Sequence, residues 1–166
     1  MGDSMKSDKK YIWIVRVLMF LLTISLIVFI FSNSAQSADV SSETSGRFMA
    51  FLNNILAFFR INAAFNQVIV RTCAHFAEFG LLGVFAFLTS VSFFGLRFKN
   101  WLLSSVFCVL IALVDECIQL FSDGRAFQFS DLLVDFTGSV IGISCTYVIV
   151  YFIIKSRVKS KEKGIK

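Results

Sequence analysis

The sequence predicts an all-α integral membrane protein: a four-helix bundle with an extra amphipathic interfacial helix between its first and second spans. Three observations predict it. Hydrophobic residues are 57% of the 166, with 21 Phe, and mean hydropathy is +0.77, which no ordinary soluble domain has reason to carry. The stretches 13–31, 68–94, 101–121 and 132–154 each supply the roughly 20 mostly apolar residues that a helix needs to cross hydrocarbon. The interrupting charges gather at the ends of those stretches instead of scattering along them. Residues 1–166 leave no room for a separate soluble domain, so one compact membrane domain is expected.

The first span follows a Lys-rich leader and precedes small residues, as a secretory signal peptide would. Its apolar run continues from Val17 through Phe31 with only Thr23 and Ser25 as interruptions, longer than the roughly 7–15 residues of a cleaved signal, so an uncleaved anchor is expected. The polar stretch 32–45 reads as an external loop. After it, Phe48, Phe51, Leu52, Ile55, Phe58 and Phe59 recur at helical spacing, with Arg47, Asn53, Asn54 and Arg60 between them, so segment 47–60 is expected to be an amphipathic helix. It lies in the interface with its aromatic face in lipid, or packs as a lid across the bundle.

The chain has no proline, so ring sterics kink none of the spans. Gly80 and Gly83 in the second span, and the Gly138 and Gly142 pair at small-xxx-small spacing in the fourth, invite close backbone approach. Cys73, Cys108, Cys117 and Cys145 fall inside spans without metal-ligand spacing and read as small packing residues, with a Cys73–Cys117 disulfide left open by their similar depth.

Lys and Arg set the orientation, because cytoplasmic flanks carry an excess of both. Lys6, Lys9, Lys10 and Arg16 open the first span, Arg97 and Lys99 join the second to the third, and Lys155, Arg157, Lys159, Lys161, Lys163 and Lys166 follow the fourth. With spans of alternating direction, all lie on one side, so both termini are expected in the cytoplasm. The net charge of +5 then reflects topology and contact with anionic inner-leaflet lipid. No nucleic acid partner is expected, since the basic residues are juxtamembrane and no recognition fold accompanies them.

The same topology brings three charged groups to one outward-facing depth. Arg71, His75 and Glu78 are spaced by four and three residues and share a helical face. Asp115 and Glu116 each reach Gln119, at four and three residues. Arg125 precedes Asp131 and Asp135, again four apart, and Ser130 or Asp131 is placed to cap the fourth span. Ionisable groups at membrane depth mark functional sites by default, so these nine residues form the expected ligand-binding set. Carboxylates outnumber cations in the set, which calls for protonation, a bound cation or a cationic ligand group. The structural alternative is a network of buried ion pairs, such as Arg71 with Asp115 and Arg125 with Asp135.

One histidine in the chain gives tetrahedral zinc poor support. A divalent cation such as Mg²⁺ or Ca²⁺, held by His75, Glu78 and Asp115 or Glu116, suits the oxygen donors better. No serine stands in a nucleophile-elbow setting, so enzymatic work, if any, falls to His75 with Glu78 or Glu116 as general acid and base.

Read in order, Phe31-Ser32, Arg71, Ala74-His75-Phe76, Glu78-Phe79, Leu82-Gly83, Asp115-Glu116, Gln119-Leu120-Phe121, Gly124-Arg125, Asp131, Asp135, Gly138 and Gly142 resemble the VanZ-like family of small bacterial membrane proteins. The stretch after Phe31-Ser32 departs from the usual pattern, its first glutamine being Gln36 and proline being absent. The family takes its name from a protein associated with low-level resistance to teicoplanin, a lipid-bearing glycopeptide. The resemblance implies a bacterial cell membrane, and the outward-facing polar cluster is expected to suit a protein that meets lipid-linked cell-wall precursors or lipid-tailed antibiotics there. Two other classes stay open: a membrane-embedded enzyme acting on a lipid phosphate or glycolipid, and a small transporter or flippase, for which a homo-oligomer would be needed to form a path.

Overall fold

The computed structural model describes the backbone of residues 2–61 and 63–163 and the side chains of residues 10–61 and 63–160. The side chains of Lys6, Lys9, Lys161, Lys163 and Lys166 lie outside the described residues. Five helices follow one another: α1 (Gly2–Ser34), α2 (Ala38–Phe58), α3 (Gln67–Phe94), α4 (Phe98–Leu120) and α5 (Phe129–Lys163). Four of them contain stretches long and apolar enough to span a membrane: Lys10–Ser34, Gln67–Phe94, Phe98–Leu120 and Phe129–Ser160. Each starts or ends a little outside the apolar run that announced it, because helical hydrogen bonding continues into the polar flanks.

The spans alternate in direction. Arg16 Nε donates to Ser92 O at 2.8 Å and Thr23 Oγ1 meets Thr89 Oγ1 at 3.0 Å, while Asn33, at the other end of α1, reaches Glu78 near the start of α3. Trp101 Nε1 at the start of α4 donates to Ser144 Oγ well along α5. Lys10, Arg16, Arg97, Lys99, Lys155, Arg157 and Lys159 therefore gather at one end, and the acidic side chains among the described residues at the other.

The burial pattern is the reverse of a soluble bundle. Ile30, Phe79, Leu82, Phe87, Ala112 and Ile143 form the apolar core, but Thr23, Ser104, Ser105, Ser139 and Thr146 are buried beside them. Val106, Leu110, Val148 and Ile149 point outward. An apolar exterior suits lipid, which rewards close packing and internal hydrogen bonds instead of burial from water. Thr23 donates to Met19 O, Ser105 to Trp101 O, Ser139 to Phe136 O and Thr146 to Gly142 O, so these four buried hydroxyls are satisfied within their own helices.

The tightest seam runs between α3 and α5 and is made by the predicted glycines. A Cβ at Gly138 would lie 2.5 Å from Phe76 O, one at Gly83 would meet Ser139 O, and one at Gly142 would meet Gly80 O. Only hydrogen side chains allow that approach. The cysteines correct an expectation: Cys108 alone is buried, Cys73, Cys117 and Cys145 face outward, and all are free thiols.

Two further expectations change. Most of the stretch read as an external loop is helical, since α2 begins at Ala38 and only residues 35–37 connect it to α1. Ala38 N donates to Asp123 O in the α4–α5 turn at 2.9 Å, which docks the start of α2 on the acidic end. The α2 helix then lies against α3 with no buried residue of its own. Asn53 holds the return loop by exchanging two hydrogen bonds with the backbone of Phe65. The second change concerns α5, which starts at Phe129, so Ser130 and Asp131 lie inside its first turn and cannot be its cap. Asp131 still gains from the positive end of the helix dipole there.

Helix α2 ends two residues earlier than segment 47–60 implied. Arg60 N donates to Ala57 O and Ile61 N to Leu56 O, closing a Schellman turn with Arg60 at φ 54°. A side chain in that left-handed conformation costs about 1 kcal/mol relative to glycine. Arg60→Gly is therefore expected to raise the thermal unfolding midpoint of the detergent-solubilised protein, and a lowered midpoint would contradict this account of the turn.

Candidate functional site

The acidic end encloses a cavity of about 510 Å³. Arg71, Ala74, His75 and Glu78 of α3 form one wall, and Phe29, Asn33 and Ser34 of α1 form another. Ser41, Thr44, Ser45 and Phe48 of α2 close it, with Arg125 at its rim. The short polar residues of α2 explain why its first half lacked an apolar rhythm: it turns toward a polar space on one side and away from the bundle on the other.

The cluster is layered. Asp115, Glu116, Gln119 and Asp135 are fully buried beneath the cavity. Gln119 Nε2 donates to Asp115 Oδ2 at 3.1 Å and Glu116 Oε1 at 3.3 Å, so both intrahelical pairings expected from spacing are made. Its amide also reaches Ser34 Oγ at 3.5 Å. The other Glu116 oxygen accepts from the backbone N–H of Gln128 at 2.8 Å, tying α4 to the start of α5.

The cross-helix ion pairs differ from those expected. Arg71 pairs with Asp131 at 3.1 Å and approaches Gln119 Oε1 at 3.4 Å; it does not pair with Asp115. His75 Nδ1, and not Arg125, lies beside Asp135, 3.3 Å from its Oδ1. Those two atoms are close but misaligned, for both are buried without a hydrogen-bond partner. The helical face of α3 accounts for this order: Arg71 lies one turn nearer the membrane boundary than His75, as Asp131 does relative to Asp135, and the glycine seam sets both pairs level.

Arg125 has no ion pair among the described residues, and its Nε is buried without a partner. Burial and the neighbouring Arg71 charge push its guanidinium below the ordinary arginine range, while Asp115, Asp131 and Glu116 pull the other way. It remains a cation regardless.

His75, Asp115 and Asp135 each offer a donor atom within 4.8 Å of the other two, one residue each from α3, α4 and α5. This replaces the expected set of His75, Glu78 and Asp115 or Glu116. Glu78 turns instead to Asn33 Nδ2 at 3.1 Å, and Glu116 to Gln128 N. Asn33, Ser34 and Ser122, whose Oγ donates to Ser34 O at 2.9 Å, are polar participants that the sequence did not single out. Asn33 and Ser34 sit in a Ser-rich stretch and Ser122 in the α4–α5 turn, with no helical charge spacing to mark them.

Beside the cavity, between α2 and α3, lies an apolar groove of about 340 Å³ that shares Phe48, Ala74 and Glu78 with it and continues past Leu52, Ile69 and Leu81. The polar cavity and the apolar groove are thus neighbours that share three lining residues.

Four antiparallel apolar helices around a polar core at one membrane boundary define a small multi-pass membrane protein. The family model described as VanZ/LLP1 matches residues 19–153, and the chain belongs to that family. No curated protein and no solved structure matches the chain.

Proposed function

We propose that the protein lies in a bacterial cell membrane with both termini in the cytoplasm, and that its cavity faces outward. In this reading the cavity binds the polar headgroup of a lipid-linked envelope component or a lipid-tailed glycopeptide, reducing susceptibility to teicoplanin-type antibiotics. The carrying observation is Arg125, a cation at the cavity rim without an ion pair, beside Arg71. Two guanidiniums suit an anionic group such as a lipid phosphate, which they bind by charge-assisted hydrogen bonds. The apolar groove leading off at Phe48 supplies a path for an attached chain. The basic residues at the far end support the orientation, and the family's name-giving member supports the antibiotic link.

Orientation is tested by thiol labelling in a cysteine-free background. A membrane-impermeant reagent on intact cells should label a cysteine at the exposed Gln128 but reach one at the exposed Lys99 only after permeabilisation; the opposite order overturns the outward site. Function is tested by overexpressing wild type and Arg125→Gln. Wild type should lower susceptibility to teicoplanin, which has a lipid tail, more than to vancomycin, and the variant should not. An equal change for both drugs, or none, sinks the lipid-tail reading.

A second reading is chemistry on a lipid phosphate, favoured by the 3.3 Å separation of His75 Nδ1 and Asp135 Oδ1, from which a small rotation would let the carboxylate orient the imidazole as a base. It calls for a product from a labelled lipid phosphate that the His75→Ala variant cannot make.

A further inference from the structure

His75 on the cavity wall and the two aspartates buried beneath it, Asp115 and Asp135, present a problem in electrostatics. Asp115 and Asp135 are fully buried. Asp115 Oδ1, both oxygens of Asp135 and His75 Nδ1 have no hydrogen-bond partner. Leaving such acceptors unmatched at membrane depth carries a heavy desolvation cost. A protonated His75 would offset only one carboxylate, and its ring N–H is not aligned on Asp135. The nearby cations do not close the gap, since Arg71 is turned to Asp131 and Arg125 stands at the rim.

We propose that His75, Asp115 and Asp135 bind a divalent cation. Their donor atoms, all within 4.8 Å of one another, are close enough to reach a single ion with small side-chain adjustments. A neutral imidazole, two carboxylates and a doubly charged ion make an electrically neutral cluster, the state a low-dielectric setting favours. The supporting contacts fit as well. Gln119 holds Asp115 by its Oδ2 and leaves Oδ1 uncommitted, which is how an outer hydrogen bond orients a ligating carboxylate. One nitrogen and two oxygens match Zn²⁺ or Mn²⁺ better than Ca²⁺, which takes about 6–8 oxygens. Three protein ligands leave coordination positions open. Because His75 lines the cavity, those positions face the space where Arg71 and Arg125 would hold an anionic group.

This inference does not rest on the lipid reading, and its test contains no lipid ligand. The purified full-length chain in detergent, stripped with a chelator and dialysed against Mn²⁺ or Zn²⁺ alone, should retain about one ion per chain. The Mn²⁺-loaded wild type should give the electron-spin-echo signature of a directly bound imidazole nitrogen, a readout that needs no variant. Asp135→Asn should lose the ion and Glu78→Gln, on the cavity wall but outside the triad, should keep it. Folded wild type that retains no ion, bound Mn²⁺ without nitrogen coupling, or retention unchanged in Asp135→Asn would each overturn the proposal.

Discussion

Gly142→Ala should destabilise the solubilised bundle by about 3 kcal/mol, at the upper end of what an overpacked methyl group usually costs. Gly46→Ala should be neutral or mildly stabilising. The contrast follows from what each new Cβ would meet. At position 142 it falls within van der Waals contact of the Gly80 carbonyl oxygen, a backbone atom that cannot rotate away; at position 46 nothing lies within 4 Å. In α2, moreover, alanine has the better helix propensity. The damage at the seam should extend to the site. The Phe76 carbonyl that crowds Gly138 belongs to the residue after His75, and Asp135 lies three residues before Gly138, so separating α3 from α5 separates His75 from Asp135. Unfolding followed by tryptophan fluorescence in mixed detergent measures the stability change. Equal stability for the two alanine variants would remove the glycine seam as the element that sets the site's register.

That register is also where the sequence stopped being informative. Spacing alone placed Arg71, His75 and Glu78 on one face and matched Asp115 with Gln119, because those relations lie within single helices, whose geometry is fixed. The partners across helices were another matter. Arg71 takes Asp131 and His75 approaches Asp135 because the glycine contacts slide α5 to one level against α3, and nothing in either helix alone specifies that level. The early part of α2 was missed for a related reason. Ser41, Thr44 and Ser45 face the cavity while α2 buries no residue at all, so the apolar period that reveals most helices is absent. Asn33 and Ser34 were hidden similarly: their importance comes from Glu78 and Gln119, distant in sequence and brought near only by the antiparallel packing of α1.

Arg125→Gln should separate binding from stability. Affinity for a lipid diphosphate in nanodiscs, compared with the corresponding lipid alcohol, is expected to fall by about 10- to 100-fold, since hydrogen bonds to a charged partner contribute roughly 1.5–3 kcal/mol. The unfolding midpoint should stay where it was, because Arg125 has no ion pair among the described residues and its Nε is unsatisfied. Arg71→Gln provides the comparison. Its loss strips the largely buried Asp131 of the cation 3.1 Å away, so both affinity and stability should drop. Arg125→Lys keeps the charge but not the planar fork and should fall between wild type and Arg125→Gln. A structural role for Arg125 makes the contrary forecast: Arg125→Gln would unfold as readily as Arg71→Gln and bind the diphosphate as wild type does. That pair of results would move Arg125 from the binding surface to the scaffold, and the proposed headgroup site would lose the observation on which it stands.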